Sequence, residues 1–190
     1  MLRTQIPYYD DIRNDGDNAL AETGTSGSPP AKFEDPAYQT CYAYWLRLKG
    51  SRWAPTWKEW DWSEIPSNLI PYFVVVDVSY EPLKFTYRFW GTANAQMHGI
   101  EMTNKTTSDI RSALTAKNTL DQYRRVIDSA AAMGSIYEMQ TIDFHTPHAQ
   151  TALRMPMSNA GAQVDHIVSF IDWRNRRKQI RAEHVQVYGA

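Results

Sequence analysis

"KFTYRFWGTANAQMHG", residues 84–99, reads as a strand that is cut short and followed at once by a helical turn. Leu83, Phe85, Tyr87 and Phe89 alternate with Lys84, Thr86, Arg88 and Trp90, the period of a half-buried antiparallel strand. Gly91 ends that strand, Thr92 is placed to cap a helical turn over residues 93–98, and Gly99 stops it. A strand broken this way needs a partner before it and helices after it.

The partner is "YFVVVDVSY", residues 72–80, β-branched and short enough for a buried strand, with Glu81-Pro82 turning the chain into the next one. Further upstream, Asp35 is a helix cap and Pro36 suits the first helical position. Tyr38, Cys41, Tyr42, Trp45 and Leu48 then recur at helical spacing as far as Gly50. Between the two lies "SRWAPTWKEWDWSEIPSNLIP", residues 51–71, whose prolines forbid one long helix, while Asp61 to Glu64 has capping-box spacing and predicts a short turn. Downstream, residues 115–134 carry Leu120, Tyr123, Ile127, Ala130 and Ala131 on one helical stripe, with Gly134 as the stop. Three more strands fit residues 135–144, 150–158 and 163–173, separated by "HTPH" and "NAGA". The expected fold class is α+β: a five-stranded antiparallel sheet, helices inserted between the second and third strands, and an N-terminal amphipathic flanking helix.

The 190 residues, 43% hydrophobic and 22% charged, suit one soluble domain with one core. A formal net charge of -1 supplies no global field toward nucleic acid or an anionic membrane, so nucleic acid is an unexpected partner. No apolar run approaches the roughly 20 residues that span a bilayer. The single cysteine, Cys41, allows no internal disulfide, and a cytoplasmic location is the expectation. Residues 1–35 read as a flexible leader, 36–173 as the domain, and 174–190 as a basic tail carrying Arg174, Arg176, Arg177, Lys178 and Arg181.

The element order, together with "YWLRLKG" at 44–50, "EIPSNLIP" at 64–71, "VVVDV" at 74–78 and "YRFWGT" at 87–92 followed by Gly99, resembles a PAS-like family of small stand-alone alphaproteobacterial proteins. The likeness covers residues 37–172. Where that family often has glycine after the helical turn this chain has Asn104, a residue that enters left-handed backbone readily. The resemblance implies a sensory or regulatory module without an output domain of its own, binding a small molecule or a partner protein and signalling through protein contact. It does not carry a cofactor over. Residues 115–134 contain no histidine for haem, and Cys41 lies in the N-terminal helix rather than near a photoactive flavin, so both are disfavoured and any cofactor stays unknown.

Candidate pocket residues are Tyr87, Phe89, Met97, Tyr123, Met139, Phe144 and Met155, since methionine and aromatic side chains make adaptable apolar cavities. Which strand parity faces the helices stays open at this stage. Arg88 and His98 are candidate polar anchors, although Arg88 is first read as a scaffold arginine paired with a carboxylate such as Asp77 or Glu64. Tyr38, Tyr42 and Trp45 form a helix face that packs either on the sheet or on a second copy, and a homodimer is expected. Asp143, His145 and His148 lack a fourth ligand, so no metal is expected. The protein is read as a non-enzyme. The rival readings are a small α+β enzyme using His98 with Glu101, or His145, in a pocket, and a purely structural interaction module.

Overall fold

The computed structural model describes residues 6–10, 33–139 and 148–174. Its strands are β1 (Tyr8–Asp10), β2 (Phe73–Ser79), β3 (Lys84–Trp90), β4 (Met133–Met139), β5 (His148–Met157) and β6 (His166–Ile171). Its α-helices are α1 (Pro36–Lys49), α2 (Thr92–His98) and α3 (Ala113–Ser129). The sheet order is β1-β4-β5-β6-β2-β3, with β2 to β6 making the expected five antiparallel strands and the helices inserted after the second of them.

Two pieces of the expected leader belong to this fold. Tyr8–Asp10 adds a sixth strand, parallel to β4, and Gly134 N–H donates to the Pro7 carbonyl at 2.7 Å. Ile6 and Phe33 are buried to within 1% of full. Polar composition hid these segments because their partners lie more than a hundred residues away in sequence.

Two of the expected caps stand where helical turns begin, whereas Thr92 does not cap α2: it is the first helical residue, after Gly91, which offers no side-chain cap. Asp35 accepts from Ala37 N–H at 2.8 Å, and Asp61 accepts from Ser63 N–H at 2.9 Å to open a 3-10 turn over Trp62–Glu64. Gly99 is left-handed at the end of α2, and Asn104 has φ 66 as its glycine-like position predicts. Gly134, in contrast, does not stop α3: Ala130 takes the left-handed position, and Gly134 sits inside β4. Its hydrogens face the Phe33 ring, whose Cζ would lie 2.6 Å from an added Cβ.

Strand parity sorts the side chains into two layers. One face carries Phe73, Val75, Met155, Val168 and Phe170, and α1 covers it. Tyr38 packs edge-on against Phe170 with its hydroxyl 2.8 Å from Thr151 Oγ1, and Trp45 Nε1 donates to the Pro156 carbonyl at 2.9 Å. Tyr42 stacks on Trp45. These three aromatics are 1–7% exposed, so of the two alternatives the helix spends its apolar face on its own sheet, which corrects their assignment as dimer or partner contacts.

The other face carries Val74, Val76, Tyr87, Trp90, Ala152, Arg154, Ile167 and Ser169, and it faces α3. Here β3 departs from simple alternation. Val75 pairs with Phe89 and Val76 with Tyr87, so Arg88 is the extra residue of a β-bulge. The bulge moves Phe89 to the α1 face, 5.1 Å from the Trp62 ring, and turns Trp90 toward α3 in its place.

Candidate functional site

A cavity of about 250 Å³ opens between the second sheet face and the inserted segment. Val74, Tyr87, Trp90 and Ile171 form its sheet wall. Ile100, Met102 and Ile110 come from the loops around α2, and Thr115, Thr119 and Tyr123 from α3. The loop after α2 is held in place by strand-like bonds to the free edge of β3: Asn104 N–H donates to Tyr87 O at 2.7 Å, and Tyr87 N–H to Lys105 O at 2.8 Å. That pairing also covers an edge which would otherwise be open.

The inward face of α3 sets three polar residues beside the buried Tyr123 and Val126. Thr115, Thr119 and Gln122 are 4%, 6% and 2% exposed, whereas Leu120 and Ile127 of the expected stripe are only half-buried. What lies beneath explains this. Arg154, 2% exposed, reaches from β5 into the cavity wall, donating from Nε to Gln122 Oε1 at 2.9 Å and from Nη1 to Ser169 Oγ at 3.0 Å. Its guanidinium lies 4.5 Å from the centre of the Tyr123 ring, and Gln122 Oε1 also accepts from the Ser135 hydroxyl at 2.9 Å. A helix over a buried charge needs polar atoms on its lower face.

Of the sequence-predicted residues, Tyr87, Tyr123 and His98 line the cavity. The His98 ring sits between Trp90 and Trp173, with centroids 5.3 and 5.7 Å away. Met97 is buried in the core but is not part of the cavity wall. Phe89 and Met155 are corrected to the opposite face, Phe89 by the bulge and Met155 because its neighbour Arg154 takes the inward position. Phe144 and His145 lie outside the described residues, as does the Met139 side chain. Asp143 and the His148 side chain do too, and among the described residues no group of three potential ligands could hold a metal ion.

Arg88 is corrected as an anchor. Its Nε meets Asp77 Oδ1 at 2.6 Å on the side away from the cavity, and the same oxygen is 2.7 Å from His166 Nδ1. With the two ion-paired side chains 44% and 36% exposed, Arg88→Ala is expected to cost under about 1 kcal/mol. An unchanged urea midpoint would meet that expectation. Glu101 accepts from the backbone N–H and hydroxyl of Thr103, at 2.8 and 2.6 Å, in its own exposed turn.

Arg154, Trp90 and the Thr115-Thr119-Gln122 row were missed. Each left a trace in the sequence: one charge inside the apolar run "TALRMPM", and three polar residues at helical spacing.

Burial pushes the phenols of Tyr42, Tyr44, Tyr80 and Tyr123 above their ordinary value of about 10. The unfolded chain therefore releases these protons first, and stability falls as pH rises through about 10. Phenolate absorbance from these four is expected to appear together with loss of circular dichroism, rather than before it.

The sequence profile of the PAS domain matches residues 33–169. The chain belongs to the PAS domain family. No curated protein matches it in sequence. Among solved structures, this PAS protein is similar to VqmA of Vibrio cholera in a complex with ligand and DNA, at 16% identity and TM-score 0.43, covering 58% of this chain and 52% of that one. It is also similar to a variant of RsLOV at 10% identity and TM-score 0.41, covering 60% and 68%. An RNA-binding light-oxygen-voltage receptor matches at 14% identity and TM-score 0.42, covering 65% and 39%. The chain thus spans about half the length of the VqmA protein it matches. No helix among the described residues is long and apolar enough to cross a membrane.

Proposed function

We propose that this PAS-domain protein is a sensory module that binds a small molecule between its sheet and the inserted helices and passes its state on through protein contacts. The observation that carries this reading is the cavity itself: about 250 Å³, walled mainly by apolar and aromatic side chains, with a few polar groups converging on it. The reading is non-catalytic. In its support, His98 is packed between two indoles and Glu101 is engaged by Thr103, so neither serves the other as base and orienter.

A route outward starts at Ile171, which lines the cavity and ends β6. Next to it, Trp173 Nε1 donates to Asn94 Oδ1 at 2.8 Å. Arg174 bonds both Asp172 and the α1 cap Asp35 at 2.7 Å. A ligand that fits one arrangement of this junction better than another would shift the population of α1 positions. A partner, or the second copy of a homodimer, would dock on a surface other than Tyr38, Tyr42 and Trp45, which are buried.

The test is native mass spectrometry of protein purified from its own host, compared with the denatured mass. A reproducible extra mass released on denaturation supports the sensor reading and reports the number of subunits. Bare protein that also binds nothing from a host metabolite extract would refute it.

A further inference from the structure

We propose that the cavity ligand is a small organic carboxylate with an apolar body, its charge held by Arg154; this rests on the ligand-binding reading above. Arg154 is 2% exposed, yet no carboxylate among the described residues lies within ion-pair distance of it. Its hydrogen bonds go to neutral side chains, Gln122 and Ser169 and also the Tyr123 hydroxyl, so no partner carries a negative charge. Neutral acceptors orient a guanidinium without cancelling its charge, and the Tyr123 ring face offsets only part of that cost. A buried charge is ordinarily paired, so an arginine in a cavity wall without a counter-charge is matched to an anion from outside.

A second observation points the same way. Trp90 is 8% exposed, lines the same cavity, and its Nε1–H has no acceptor among the described residues. Buried indole N–H groups usually find a partner. Exposed Arg111, which also lines the cavity and has no ion pair among the described residues, adds positive charge that favours an anion's approach. The apolar part of the wall is Val74, Ile100, Met102, Ile110 and Ile171 beside the Tyr87 and Tyr123 rings, which receives an apolar body, while Ser112, Thr115, Thr119 and His98 add neutral polar groups to the same wall. The cavity lies just below the roughly 300–1,000 Å³ usual for drug-sized ligands, so the molecule is small.

The experiment is calorimetric titration of the full chain with matched pairs: phenylacetate against phenylacetamide, and hexanoate against hexanamide. In each pair the acid is expected to bind at least about tenfold more tightly than the amide. Arg154→Met is expected to weaken acid binding roughly 100-fold while leaving the amide almost unchanged. Trp90→Phe, which keeps an aromatic ring but gives up the N–H and part of the indole's volume, is expected to weaken acid binding roughly fivefold and amide binding less, and keeps the idea testable if Arg154→Met does not fold. Amides that bind the wild type as tightly as their acids would overturn the carboxylate assignment and leave the pocket reading standing. Binding of neither class would overturn both.

Discussion

Trp45→Ala is expected to lower stability by about 3–5 kcal/mol, the range for truncating a buried tryptophan. Trp45 is 2% exposed under α1, stacked on Tyr42 and bonded through Nε1 to the Pro156 carbonyl of β5. Truncation leaves a cavity the helix cannot refill, and it strands a buried carbonyl whose desolvation is then uncompensated. A domain of this size holds about 5–15 kcal/mol in total, so the melting temperature should fall by roughly 6–20 °C. Trp45→Phe retains most of the volume and loses the hydrogen bond, so a smaller drop is expected. A Trp45→Ala protein that melts normally but has lost a subunit contact would mean that α1 faces a second copy instead of its own sheet.

Gly91→Ala is expected to cost at least about 3 kcal/mol, more than overpacking usually does. The reason is steric and confined to the backbone. A Cβ at this position would stand 2.3 Å from the Pro71 carbonyl oxygen and 2.7 Å from that of Phe73. Gly91 N–H donates to that Phe73 carbonyl at 2.9 Å, and Gly91 O accepts from Ala95 N–H at 3.0 Å to start α2. No rotamer change relieves a clash with two carbonyls that are themselves fixed by the strand and the turn before it. At φ -59 the glycine is conformationally ordinary, so the requirement is for space alone. Urea unfolding of the variant measures this directly, and a cost under 1 kcal/mol would show that residues 71–73 move aside.

These two positions show how differently the sequence speaks about its parts. The Trp45 stripe was legible because an amphipathic helix repeats its apolar residues at a period the chain itself displays. Gly91 was legible only as a strand end; that it is a point of close approach between Pro71, Phe73 and the start of α2 depends on three segments meeting. The same distinction runs through the candidate site. Tyr87 and Tyr123 were found because aromatic residues on a strand and a helix of this element order have few other places to go. Phe89 was misplaced because the alternation seemed unbroken, and a bulge shows only when the opposite strand counts one residue fewer.

The sequence by itself determined the caps at Asp35 and Asp61, the left-handed positions at Gly99 and Asn104, the five antiparallel strands, and therefore the α+β element order. All of these follow from interactions within a few residues. Tertiary structure alone decided which face of each strand looks into the cavity, that Tyr8–Asp10 joins the sheet, and that Arg154 is buried beneath Gln122 beside Ser169. Those outcomes depend on register between segments distant in the chain. A one-residue change of register in β3 or β5 exchanges the two faces, and only the folded sheet says which arrangement holds.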